Sequence, residues 1–367
     1  MKLLHWCKAN AMPVIAVLAA AVTAVFVPPD ADYWSYYDLR TLSCLLCVLA
    51  VVGALRRVGL FSLLAQKLVQ VFHTTRSVVT ALVCITLVGS MLLTNDTALL
   101  TFLPLSWFVL ERTGQTKWTA LTFILQNCAA NLGGMLTPFG NPQNLYLYNF
   151  YSIATGEFLR IMLPPFLLST GMILLCCLLL PRQKLRVPRQ EAAPDRRRTA
   201  AYGAFFCVAV AMVLRGIPYW LGLIVIVAAL AVLDRRALLG VDWGLLLTFL
   251  AFFTFSGNMA RIAPVRQLFC RLLSHGAMPV AALTSQLISN VPAAILLSRF
   301  TDDYRGLLVG VNIGGAGTLV ASLASLITFR EYAKHAGGRT GRFLALFSVI
   351  SFGFLAILLA AMTLWLR

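Results

Sequence analysis

Two stretches of this chain place polar and helix-breaking residues inside sequence that otherwise suits lipid. The first runs from Leu93 to Tyr148. It begins L-T-N-D-T-A-L-L-T-F-L-P-L and ends N-L-G-G-M-L-T-P-F-G-N-P-Q-N-L. Asn95, Asp96, Asn131, Asn141 and Asn144 are polar groups at membrane depth, and Gly133, Gly134, Pro138, Gly140 and Pro142 break the helix around them. In hydrocarbon an unpaired backbone N–H or C=O costs several kcal/mol, so broken backbone persists only against protein or a wet cavity. An ionisable residue there points to function. The layout recurs as S-N-V-P at Ser289 to Pro292, then N-I-G-G-A-G-T-L-V-A-S-L-A-S-L from Asn312 to Leu326. The chain therefore reads as two membrane halves, residues 1–181 and 199–367, joined by a basic linker at 182–198.

Composition fixes the class. Of 367 residues, 60% are hydrophobic and 12% charged, where a soluble domain carries about a quarter charged. Several windows exceed the roughly 18 apolar residues of a membrane span. The net charge of +17 would suggest nucleic acid in a soluble protein. Here the basic residues lie in short connections between spans, where they set orientation, so no nucleic-acid partner is expected. Nine cysteines are scattered, mostly in apolar runs. The Cys44-x-x-Cys47 pair lies mid-span, and Cys176 and Cys177 are adjacent; all read as small apolar packing groups rather than redox or metal pairs. His5, His73, His275 and His335 fall near span ends and form no ligand or triad spacing. No paired carboxylates, triad or metal motif supports an enzyme, and no cofactor is implied.

The elements read in order as follows. Lys2 and Lys8 precede an apolar run that resembles a signal peptide, but a retained first span at 10–27 fits the topology, with a cytoplasmic N-terminus. The acidic, aromatic stretch 28–38 suits the outer face. Span 39–55 returns to Arg56 and Arg57, and 59–72 reads as an amphipathic helix on the inner surface. Residues 77–110 form a re-entrant hairpin from the inner side with Asn95 and Asp96 at its tip. Its second arm, 98–110, has 13 residues, or ~20 Å against the ~30 Å hydrocarbon core. A helix at 118–136 is interrupted at 137–144 and completed at 145–155, and 158–180 returns inward. The linker 182–198 carries seven Lys or Arg, which normally does no more than set orientation.

The second half runs 199–214, 218–233 and 243–258, then a surface helix at 262–273 on the outer face. A second hairpin at 278–300 has Ser289 and Asn290 at its tip. A second broken helix at 305–328 unwinds around 314–317. A basic loop with Arg330, Lys334, Arg339 and Arg342 lies inside, before the last span at 343–366. The fold class is an all-α polytopic membrane protein with about nine full spans and two hairpins. It is built from two inverted-topology repeats whose discontinuous helices meet at the midplane, the architecture of secondary transporters. Arg215, Arg261, Arg266, Arg271 and Arg367 fall on the outer side, against the charge rule.

A hairpin tip facing an unwound helix offers helix N-termini for an anion and free carbonyls for a small cation. Asn donates and accepts, and serves either task. Asn95 with Asn131, Gly133 and Gly134 forms one half-site; Asn290 with Asn312, Gly314 and Gly315 forms the other. Asn95, Asn131, Asn290 and Asn312 are the candidate ligands for a transported Na⁺. Gly140 and Gly317, with the glycines already named, let backbone approach a ligand. Asp96 is the one carboxylate placed in the interior. It completes a cation site, carries a proton, or caps the second hairpin arm. Thr94, Thr97, Thr137, Ser289 and Thr318 are ligand hydroxyls or bond back to their own helix.

With these motifs aligned, N-D-T-A-L-L-T-F-L-P-L followed by N-L-G-G-x-x-T-P-x-G-N-P-x-N-L resembles the ion transporter superfamily. That group holds citrate and dicarboxylate permeases, arsenite permeases and certain sodium/proton antiporters. S-N-V-P and N-I-G-G-x-G-T-L-x-A-S-L resemble its second repeat. The resemblance implies a secondary transporter of the bacterial inner membrane, with an elevator-like moving body of hairpins and broken helices, often a homodimer. By position, Asn95 and Asn290 match the tip asparagines, while Asn131, Gly133, Gly134, Thr137, Gly140, Asn141 and Asn144, then Asn312 to Thr318, match the unwound loops. Dicarboxylate members resemble S-N-T at both tips. Here the tips are T-N-D-T and S-N-V-P, and the first looks more like the arsenite-permease and antiporter branches. The expected activity is transport of a small anion, citrate, dicarboxylate or inorganic, coupled to Na⁺ or H⁺. The alternatives are a Na⁺/H⁺ antiporter exchanging at Asp96 and an arsenite-type efflux permease.

Overall fold

The structure, a computed structural model, describes residues 11–185, 195–335 and 340–366. The first half contains α1 (Ala11–Phe26), α2 (Leu39–Arg57), α3 (Leu60–Gln70), α4 (Thr75–Leu92), α5 (Asn95–Arg112), α6 (Thr119–Gly133), α7 (Pro142–Phe150) and α8 (Thr155–Leu178). The second contains α9 (Arg196–Val213), α10 (Tyr219–Leu233), α11 (Arg235–Leu239), α12 (Trp243–Arg261), α13 (Ala263–Leu273), α14 (Ala277–Ile288), α15 (Asn290–Leu297), α16 (Tyr304–Ile313), α17 (Leu323–His335) and α18 (Thr340–Trp365). Short polar side chains set the helix starts. Asp38, Asp195, Asp234, Asp242 and Asp303 each accept a backbone N–H at the head of α2, α9, α11, α12 and α16. Thr74 and Ser77 form a reciprocal capping box on α4. Replacing such a cap by Ala typically costs ~0.5–2 kcal/mol.

Burial is inverted relative to a water-soluble protein. Val232 is 86% exposed and Val349 73%, while Asn144 is 0% and Asn312 1% exposed. Many large apolar side chains on α1, α8, α10 and α18 are exposed, as suits helices that face lipid. Five helices, α2, α4, α8, α12 and α18, are long and apolar enough to cross a bilayer, and α1, α10 and α14 are shorter apolar helices. This is an integral membrane protein.

Contacts sort the connecting segments into two sets. In one, Arg261 grips Asp30 at 2.7 Å, Arg299 donates to the Tyr36 carbonyl and Tyr151 to those of Ser298 and Thr301. Arg215 donates to the carbonyls of Tyr148 and Ser152, and Arg305 pairs with Glu157. In the other, Arg57 pairs with Asp234, the Leu185 amide donates to the His73 carbonyl, and Trp107 stacks on His335 at 4.1 Å. The first set joins segments assigned above to the outer face; the second joins segments assigned to the inner face. Arg215 and Arg261 sit on the first face because each has local acceptors to hold it.

Several expectations need correction. The second hairpin arm is not a 13-residue stub: α5 has 18 residues, or ~27 Å. Thr94 caps it, so T-N-D-T is helical from Asn95 onward. What makes this element a hairpin is where it turns, since the Asn95 amide donates to the carbonyl of Gly140 inside the break between α6 and α7. That break is shifted from 137–144, because α6 ends at Gly133 and Pro142 serves as the first residue of α7. Arg330 and Lys334 lie on α17 rather than in a loop, α11 is an additional short helix, and α9 begins at Arg196 within the proposed linker. Residues 186–194 of the linker, with Lys2, His5, Lys8, Arg339 and Arg367, lie outside the described residues.

Candidate transport site

The two hairpin tips use asparagine in the same way. At the first, the Asn95 amide donates to Gly140 O (3.1 Å) and its Oδ1 accepts from the Asp96 amide (2.9 Å). At the second, the Asn290 amide donates to Ala321 O (2.9 Å) and its Oδ1 accepts from the Val291 amide (2.9 Å). In each half the tip is thus pinned to the break of a discontinuous helix. The remaining Asn95 Nδ2 donates to Asn131 Oδ1 (3.2 Å). Asn290 Nδ2 lies against Gly315, where a Cβ would come within 3.1 Å of it. Ser289 adopts φ 75°, left-handed backbone that a side chain tolerates poorly.

The two breaks then interlock. Asn312 Nδ2 donates to Asn144 Oδ1 (2.6 Å), and Asn312 Oδ1 accepts from Asn141 (3.2 Å) and Gln143 (3.3 Å). Ser322 donates to Asn131 Oδ1 (2.7 Å). Asn144 Nδ2 reaches the carbonyls freed by the first break, at Gly134, Met135 and Thr137. Gln286 does the same for the second, donating to Gly314 O (2.7 Å) and Ala316 O (3.1 Å) and accepting from the Thr318 amide (2.9 Å). Gly317 takes φ +123° in this turn, and a Cβ there would meet Gln286. Asn312 therefore does not pair with Asn290: α16 aims it at α7, across the two halves.

The other named residues have packing or bridging places. Gly133 lies against α4 at Leu87 and Ser90, Gly314 against α14 at Ala282 and Ser285, and Gly134 and Gly140 against each other. Thr94 and Thr97 share a hydroxyl contact at 2.9 Å. Thr137 donates to Met91 O, Thr318 to Gln286 O and Ser289 to Ala321 O. The last three hydroxyls tie elements together, the Thr94–Thr97 contact stays at the start of α5, and none bonds back four residues along its own helix.

A cavity of about 450 Å³ opens between the tips. Asn95, Asp96, Gln143, Ser289, Asn290 and Ser322 line it, together with Met12 and Pro13 of α1 and Leu245 and Thr248 of α12. Asp242 and Arg330 also border it, on the face of the Arg57–Asp234 pair. Asp96 Oδ1 and Gln143 Oε1 are shut off from solvent and accept no hydrogen bond. Since Thr94 supplies the cap, the Asp96 carboxylate is uncommitted. A buried acceptor without a donor costs roughly 1–3 kcal/mol, so these atoms suit a cation, a proton or a hydroxyl-bearing solute. Gln143 and Ser322 were not singled out from the sequence, although they stand as polar residues inside the N-P-Q-N and A-S-L motifs. Asp242, Thr248 and Arg330 carried no signal, because only the fold brings α12 and α17 to the cavity.

The sequence profile of the citrate transporter matches residues 3–302, a span that holds both hairpins and the first broken helix. The chain belongs to the citrate transporter family. Relatives agree with that placement. An uncharacterized transporter of Methanocaldococcus jannaschii is 30% identical over 88% of this chain and 89% of its own length. The inner membrane protein YbiR of Escherichia coli is 31% identical over 86% of each. The silicon efflux transporter LSI3 of Oryza sativa is 31% identical over 50% of this chain and 40% of its own. For a citrate transporter family member, membrane transport of an ion or small molecule is the general activity.

Proposed function

We propose that this citrate transporter family protein is a secondary active transporter that binds a small anion between the two hairpin tips, together with Na⁺ or H⁺. The observation that carries the reading is the cavity's charge. Its described lining sets two carboxylates, Asp96 and Asp242, against one basic residue, Arg330, and Asp96 Oδ1 and Gln143 Oε1 have no donor. An anion entering alone meets a carboxylate; with a cation or proton bound there, the repulsion is relieved. Coupling follows from that requirement.

The matching bonds of Asn95 and Asn290 support an inverted repeat. The interlocked breaks, which share the cavity lining with α1 and α12, support an elevator-type motion in which hairpins and broken helices travel as one body. The kinship with YbiR supports placement in a bacterial inner membrane.

A second reading rests on the same acceptors and on the rice silicon efflux transporter. A neutral hydroxylated solute, silicic or arsenous acid, would donate to Asp96 and Gln143 and leave in exchange for protons. Proteoliposomes under a Na⁺ or a proton gradient, offered labelled citrate, succinate, sulfate, phosphate, arsenite and silicic acid, separate the readings. Uptake of one anion driven by one gradient is expected. Proton-driven movement of a neutral acid alone replaces the first reading with the second. A Na⁺ gradient that shifts internal pH through Asp96, with no solute moving, replaces both with an antiporter.

A further inference from the structure

A second groove, of about 510 Å³, lies beside the start of α4, away from the central cavity. There residues 181–185 run antiparallel to residues 73–76. The Leu185 amide donates to His73 O (3.0 Å), the Thr75 amide to Gln183 O (2.9 Å) and the Arg76 amide to Pro181 O (3.2 Å), and Thr74 bridges Lys184. This register sets Arg76 opposite Arg182, and both line the groove. Like charges placed directly opposite each other repel. Arg76 commits its Nε to the Leu180 carbonyl (2.6 Å), which leaves both Nη groups for another partner. Among the described residues neither arginine has a carboxylate partner. The pair is therefore complementary to an anion held between the two guanidinium groups, and a phosphate oxygen pair fits that fork geometry.

The rest of the groove says which anion. Thr74 and Ser77 place hydroxyl-bearing residues at the arginine end, and Phe72, Ala81 and Cys84 make the wall beyond it. Ser77, Ala81 and Cys84 fall on one face of α4 and carry the groove ~10 Å along the helix. A free phosphate has no use for an apolar strip of that length; an acyl chain does. The groove also begins just after α3, at the start of α4, one of the helices long and apolar enough to cross a bilayer. We infer that it binds an anionic phospholipid, whose phosphate bridges Arg76 and Arg182 while an acyl chain lies along Ser77, Ala81 and Cys84. Such a lipid ties the entry of the first hairpin to the segment that joins the two halves.

The test is thermal unfolding of the delipidated full chain in detergent, titrated with phosphatidylglycerol, phosphatidylcholine or inorganic phosphate. Phosphatidylglycerol is expected to raise Tm by several degrees where the other two do not. Arg182 is exposed and holds no other element in place, so Arg182→Gln should keep the fold. It should weaken the apparent phosphatidylglycerol affinity about tenfold, the scale of one charge-assisted contact. Arg235→Gln, exposed on the same face outside the groove, should respond as wild type. An equal shift with phosphatidylcholine, a shift with phosphate alone, no shift with phosphatidylglycerol, or an undiminished response in Arg182→Gln overturns the assignment.

Discussion

Asp96 and its neighbour Asn95 are consecutive in sequence but have opposite roles in bonding. The amide and both side-chain polar atoms of Asn95 are engaged, holding the tip to Gly140 and Asn131 and closing on the Asp96 amide. Asp96, in the cavity lining, keeps one oxygen without a donor. Asn95→Ala and Asn290→Ala should each lower flux at least about tenfold, the equivalent of one buried hydrogen bond, with membrane insertion intact. Wild-type flux in either variant would remove the tips from the site. Asp96→Asn keeps the shape and removes the ionisable group. Its expected signature is a changed pH or Na⁺ dependence of flux, measured across imposed gradients, and an unaltered profile would leave Asp96 without a coupling role. These residues were legible because a carboxamide or carboxylate in apolar sequence has few explanations. Gln143 and Ser322 sit in the same motifs, yet sequence spacing alone does not say which of several amides faces a cavity and which faces another helix.

At the level of helices, the largest departure from expectation is Asn312. Sequence symmetry pairs it with Asn290, whereas α16 turns it onto α7. Asn312→Ala leaves Asn141, Gln143 and Asn144 with lost partners, at roughly 1–3 kcal/mol for each orphaned buried group. It should lower Tm clearly and flux with it, while Asn290→Ala should cost flux with little change in Tm. Equal melting of the two variants in the same detergent would show that the interlock carries no stability. The ends of α12 and the 28–38 connection are joined differently, by the exposed Arg261–Asp30 pair. The Arg261 hydrogen bond holds the Asp30 carboxyl below its ordinary value of 3.8. The pair's contribution is therefore complete above that value and lost as pH falls through the lowered folded one. Being exposed, it is small. Asp30→Asn should remove an acid-side dependence of Tm below about pH 4 and leave flux at neutral pH unchanged. Helix existence was readable from apolar runs and caps. Arm length was not, because T-N-D-T reads as loop until Thr94 is seen to cap a helix.

For the whole molecule, the cavity is bordered by Asp242 and Arg330 on the face of the Arg57–Asp234 pair. In a cysteine-replaced background, Thr248→Cys should react with a membrane-impermeant thiol reagent added on that face and be protected from the face of Asp30. Reactivity should fall on that side and rise on the other as transport proceeds; equal labelling from both faces at all times would describe a pore. Charge grouped some of the segments that share a face, such as those of Arg57 and Arg236, but not Arg215 and Arg261, which lie on the other. The closure between distant segments was not readable, because it depends on contacts such as Arg57 with Asp234 that no local pattern announces. The interlock also has a consequence for how the chain is made. Asn144 waits for Asn312, 168 residues later. At ~5–20 residues per second of synthesis, the first half spends roughly 10–30 s in the bilayer with Asn144 Oδ1 lacking the donor that Asn312 later supplies. Through that interval only water or the insertion machinery can donate to that oxygen, so the half-made protein must be kept wet at its centre until the ribosome delivers the residue that seals it.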